Sequence, residues 1–164
     1  MVDVSDKAPT RRVAVARGRV WLPREAINAV RNSEQPGSNH HDRVLTASKG
    51  PVLHTAQLAG IMGSKRTSEL IPLCHPLPLS KVDVHFTFDD DEQLEPEGGY
   101  LVVECTAVTE GKTGVEMEAL TGVSVACLTT WDMVKALAGR EMVIEDVKVI
   151  SKSGGKSGDW KRSD

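Results

Sequence analysis

The segment VEMEALTGVSVACLTTWDMVKALAG, residues 115–139, contains no proline and closes on a glycine. Such a run predicts one helix, the longest in the chain, with Gly139 as its stop signal. Strands flank it in sequence. Ahead of it, Val82, Val84, Phe86 and Phe88 alternate with Lys81, Asp83, His85 and Thr87, the period of a strand with one buried face. YLVVECTAVT, 100–109, reads as a second strand antiparallel to the first, and MVIEDVKVIS, 142–151, as a last strand.

At the N-terminal end, RVAVARGRVWL, 12–22, is another strand, and Pro23 takes the first-turn position of a helix over REAINAVRN. After a polar loop, Val52, Ala56, Ala59 and Gly63 recur at helical spacing, and a short helix over 64–70 ends before Pro72. The order is βαββαβ with extra helical pieces before the hairpin. It predicts an α+β domain over 1–164 of the ferredoxin-like, split βαβ kind, an antiparallel sheet with helices on one face. The tail KSGGKSGDWKRSD, from Lys152, is rich in Gly, Ser and Lys and is expected to be mobile until something binds it.

With 40% hydrophobic but only 4% aromatic residues, the core must be built from Val, Leu, Ile, Ala and Met. No signal-length or membrane-spanning apolar run is visible. Cys74, Cys105 and Cys127 are odd in number and widely spaced, which suits free thiols in a reducing, cytoplasmic compartment. A net charge of -3 argues against nucleic acid as the main partner. The charge is segregated, however. DDDEQLEPE, 89–97, reads as a solvated hairpin loop, while the arginines of 11–19 and the lysines of the tail make both ends basic and suited to a small anionic ligand.

Two glycine-lysine pieces, EGKTG and SGGKSGD, lack the further glycine of a P-loop, because Thr106 and Ile150 occupy the required positions. Their glycines still allow backbone N–H groups close to phosphate oxygens, and Lys112 sits at a helix start. On the long helix Asp132 and Lys135 are three residues apart and share a face. The plain alternative is a surface ion pair. Their apolar surroundings point instead to a pocket in which a desolvated pair is tuned for proton transfer. Glu118, fourteen residues earlier, lies about 21 Å away along an ideal helix. One compact site holds both only if Gly122 bends the helix, the ligand is long, or a neighbouring subunit completes each site. LIPLCHPLPLS, 70–80, sets Cys74 beside His75 among three prolines. Adjacent residues ligate a tetrahedral ion poorly, so no metal is expected there. The prolines make a rigid ledge from which His75 offers a hydrogen bond or proton to a ligand; a satisfied structural histidine is the alternative. His40 and His41 read as solvated.

Together LIPLCHPLPLSKV, GKTGVEMEALT, WDMVKA and SKSGGKSGDW resemble the cyclic pyranopterin monophosphate synthases of molybdenum cofactor biosynthesis, and the likeness extends from MVDVSDKA through AQLAGIMGSKRTSELIP to the tail. The resemblance implies a cofactor-free lyase that converts 3',8-cyclo-7,8-dihydroguanosine 5'-triphosphate to cyclic pyranopterin phosphate and diphosphate. It also implies a ferredoxin-like subunit in a homohexamer, a trimer of dimers with active sites at subunit boundaries, and it makes the lysine-rich tail a lid. By motif, Asp132 resembles the catalytic acid/base and Lys135 its helper. Leu73, Cys74, His75, Met117 and Glu118 resemble substrate-contacting positions, with Glu116 a further candidate. Arg12, Lys49, Lys65, Lys152 and Lys156 would face the triphosphate or the base. Pro51 departs from the family, which usually shows Asp there, and the chain starts directly at MVDVS, so the loop at Lys49 is expected to differ. The competing reading is a non-catalytic nucleotide- or phosphate-binding relative on the same fold; a zinc hydrolase using Cys74 and His75 would require bound metal.

Overall fold

A computed structural model describes residues 1–34, 49–89, 97–156 and 158–163. His40, His41 and most of the acidic run lie outside the described residues. The elements are β1 (Thr10–Pro23), α1 (Arg24–Ser33), α2 (Val52–Lys65), α3 (Thr67–Leu70), β2 (Leu79–Asp89), β3 (Gly98–Gly111), α4 (Glu116–Ala138), β4 (Val143–Ser153) and β5 (Trp160–Lys161). The strands form one antiparallel sheet in the order β2-β3-β1-β4-β5. This is the expected α+β, ferredoxin-like arrangement, with β5 added at one edge.

Strand parity explains the core. Ala14, Ala16, Val20 and Leu22 of β1 stand opposite Ala107, Cys105, Leu101 and Gly99 of β3, and these eight residues are buried beneath the helices. The other face of the sheet carries ion pairs, Arg17 to Glu104 at 2.8 Å and Arg19 to Glu145 at 2.9 Å. Helices α2 and α4 approach closely where glycines face each other. A Cβ on Gly60 would lie 2.9 Å from the Gly122 carbonyl oxygen, and one on Gly122 would lie 2.6 Å from Cys105 Sγ. Gly122 therefore serves a close crossing inside a continuous helix, so the expected alternative of a bend there is not what joins Glu118 to Asp132.

The expected boundaries shift by a residue or two, with two larger differences. The second helix runs on to Lys65, leaving only Thr67–Leu70 for the short one, because Arg66 adopts non-helical angles. The tail from Lys152, expected to be mobile until something binds it, pairs partly with the sheet. Strand β4 continues to Ser153, Gly154 and Gly155 turn the chain at φ of 87° and 81°, and Trp160 pairs with Lys152. Asp159 Oδ1 accepts the Gly154 N–H at 3.0 Å and closes that turn. Left-handed angles of this kind suit glycine, which has no Cβ to clash.

Strand β4 also has irregular register. Ala16 faces Val149 but Val15 faces Ser151, so Ile150 is the extra residue of a bulge. An extra residue inverts the side-chain parity beyond it. Lys152, opposite the inward Ala14, consequently shares the helix side of the sheet.

Candidate active site

The expected site residues separate into groups at the two ends of α4. At its C-terminal end the helical period turns Met133 and Val134 inward and leaves Asp132 and Lys135 outside. Lys135 Nζ lies 2.6 Å from Asp132 Oδ1. Lys49, distant in sequence, donates to Asp132 Oδ2 at 2.5 Å and to its carbonyl at 3.0 Å. Hydrogen bonds from Lys135 and then Lys49 pull the Asp132 carboxyl down to about 2, because two ammonium donors favour its charged form. The three side chains are 47–55% exposed, so within the chain this is a half-solvated cluster rather than the desolvated pair that the apolar neighbours suggested. Those neighbours belong to the core behind it. A cleft of about 490 Å³ adjoins Lys135, lined also by Trp131, Leu137, Gly139 and Arg140.

At the N-terminal end, Glu118 is buried at 4% exposure, and loss of water pushes its carboxyl up. Ser64 Oγ donates to the Glu118 carbonyl at 2.9 Å, fastening α2 to this turn. The proline ledge lies alongside. Cys74 is raised by burial and then by the charge of Glu118, which places the thiol near that carboxylate. Leu73 is exposed, Met117 partly so, and His75 Nε2 meets the Val2 carbonyl at 2.8 Å. Among the described residues, no three His, Cys, Asp or Glu side chains gather as metal ligands.

Beside this end is a cavity of about 750 Å³ between the N-terminal segment, β1, the turn before α4 and the glycine turn after β4. Arg12, Glu116, Lys152 and Lys156 line it, together with Lys7 and Lys112. Lys152 Nζ meets Glu116 Oε1 at 3.1 Å, a contact that depends on the bulge at Ile150. Arg12 Nε donates to the Gly111 carbonyl at 2.9 Å, and Lys112 donates to that of Ser5 at 2.6 Å. Five cations face two carboxylates, Asp6 and Glu116, so the space is electropositive and shaped for an anion. Of these, Lys112 carries a sequence signal in EGKTG, at a helix start. Lys7 has none. Lys65 is exposed and lines neither this cavity nor the cluster at Asp132.

The family model described as the MoaC family matches residues 1–155. A Heliobacterium modesticaldum protein named cyclic pyranopterin monophosphate synthase is 49% identical over 164 residues, covering 100% of this chain and 91% of its own. Proteins of the same name from Thermomicrobium roseum, 49% identical over 100% of this chain and 87% of theirs, and Cereibacter sphaeroides, 50% over 99% and 91%, are similarly close.

Proposed function

The chain belongs to the MoaC family, and from that premise we propose that it makes cyclic pyranopterin monophosphate, as a lyase of molybdenum cofactor biosynthesis acting on 3',8-cyclo-7,8-dihydroguanosine 5'-triphosphate. The observation that carries the chemistry is the ionised Asp132 held between Lys135 and Lys49. Rearrangement of the purine to a pterin requires protons to be taken up and returned. The phosphate step then has a ribose hydroxyl attack the α-phosphorus, forming one P–O bond as the bond to diphosphate breaks. Asp132 is the proton acceptor, and Lys135 returns protons. Lys49, held at Asp132, keeps the carboxylate charged and oriented for proton acceptance. Arg12, Lys152 and Lys156 offset the charge that builds on the departing diphosphate. Leu73, Cys74, His75, Met117 and Glu118 form the wall for the base, Glu116 orients Lys152, and Lys65 meets the substrate from outside the cavity.

Fourteen residues of helix separate Glu118 from Asp132, about 21 Å. That separation supports an active site assembled from two copies of the chain, the Asp132 end of one facing the Glu118 end of the next, in a homohexamer. The glycine turn after β4 closes over the triphosphate. No helix is long and apolar enough to cross a membrane among the described residues, and a cytoplasmic location suits the reduced thiols.

Incubation with the cyclised guanosine triphosphate should release diphosphate stoichiometrically with the cyclic phosphate. Binding without diphosphate release would favour the non-catalytic reading that the cationic cavity also allows. Co-refolding two inactive variants, Asp132→Asn and Glu118→Gln, should restore part of the activity if each site draws on two chains; no recovery would sink the shared site.

A further inference from the structure

The first turn of α2 has no side-chain cap of its own, because Pro51 stands at the N-cap. Its N–H groups are met from the end of α1. Ser33 Oγ, which gives its proton to the Val30 carbonyl at 2.7 Å, accepts the Val52 N–H at 3.2 Å. Glu34 Oε1 accepts the Leu53 N–H at 2.7 Å, and its Oε2 pairs with His54 Nδ1. The Glu34 side chain is only 18% exposed, so these bonds are shielded from water. Just before this knot Gly50 turns the chain at φ of 94°, and Lys49 reaches Asp132.

We propose that Ser33 and Glu34 are positioning residues: by capping α2 from the end of α1, they fix the backbone at 51–53 and with it the reach of Lys49 onto Asp132. A lysine side chain is long and flexible, so its placement depends on where its backbone is anchored. The anchor lies three residues away. Without it the uncapped turn frays and the ammonium loses its fixed geometry, and misplacement of about 1 Å is enough to cost a reaction heavily. The inference rests on Lys49 and Asp132 serving the reaction proposed above.

The test compares Glu34→Ala, Glu34→Gln, Lys49→Ala and the double variant Glu34→Ala/Lys49→Ala. Glu34→Ala should lower kcat about tenfold, Glu34→Gln should retain most turnover because its amide oxygen still accepts the Leu53 N–H, and the double variant should be no slower than Lys49→Ala. Losses that multiply in the double variant would mean that Glu34 acts independently of Lys49 and would overturn the proposal. A second readout needs no turnover: followed by ¹³C NMR of the aspartate carboxyls, the Asp132 midpoint should rise equally in Glu34→Ala and Lys49→Ala and stay put in Glu34→Gln. An unmoved midpoint in Glu34→Ala overturns the positioning role, whereas absence of diphosphate from the wild type overturns only the functional reading. Should Glu34→Ala not fold, Ser33→Ala must show the same shift to a smaller degree, and a wild-type midpoint there also overturns it.

Discussion

The two ends of α4 treat the same functional group in opposite ways. Asp132 sits half in water between two ammonium groups and is held far below its usual range, whereas Glu118 is buried and pushed above it. One helix therefore offers a carboxylate that stays charged and a carboxyl that resists charging. The difference lies wholly in surroundings, since the two side chains differ by one methylene. On the reaction proposed above, a single element would thus supply both a proton acceptor and a proton-holding wall where two copies meet.

The sharpest break of that contrast is Asp132→Asn, expected to cut turnover about 10² to 10⁴-fold while the thermal midpoint barely moves, because half-exposed ion pairs stabilise little. Wild-type rates would remove Asp132 from the chemistry. At the other end, Lys152→Ala should raise KM about tenfold with a smaller fall in kcat, as loss of one charge-assisted contact does; an unchanged KM would take the cavity away from the triphosphate. Gly122→Ala tests whether the close helix crossing seals Glu118. The added methyl meets Cys105 Sγ, so denaturant melts should show a loss of about 1–3 kcal/mol.

The smallest effect is in the pH dependence of stability, where the two ends should slope oppositely. A raised folded value means that the native state holds the Glu118 proton when the unfolded chain has released it. Stability then falls as pH climbs from near 4.5 through the raised value, and Glu118→Gln should flatten that limb without changing stability below it. For the depressed Asp132, its contribution is full above the ordinary carboxylate range and fades as pH drops toward 2, so the deficit of Asp132→Asn should vanish in acid. Parallel pH profiles for the two variants would dissolve the contrast.

Much of the scaffold was legible because it rests on period. The alternation around Val84 and the proline-free run over 115–139 each follow from local chain geometry, and the observed β2 and α4 match them. The sheet's extra edge was not, since glycine, serine and lysine read as loose chain and only Trp160 hints at pairing. The site was half legible. Asp132 and Lys135 are neighbours on one helix and announce themselves, but Lys49 meets them across 83 positions, and no local pattern encodes that meeting. The apolar sequence about Asp132 misled because a helix alternates inward and outward residues within one stretch. The cap on α2 was equally hidden, since sequence reasoning seeks a helix cap in the residue just before the helix, where Pro51 stands.

The bulge at Ile150 links chain length to charge placement. Remove the one extra residue between Val149 and Lys152, and the strand would run regularly with the lysine still opposite Ala14; remove two, or straighten the bulge at full length, and the lysine would emerge on the far side of the sheet, leaving Glu116 without its counter-ion. A gap of one position there, in any relative, would thus spare the anion cavity, and a gap of two would rewire it more thoroughly than many substitutions.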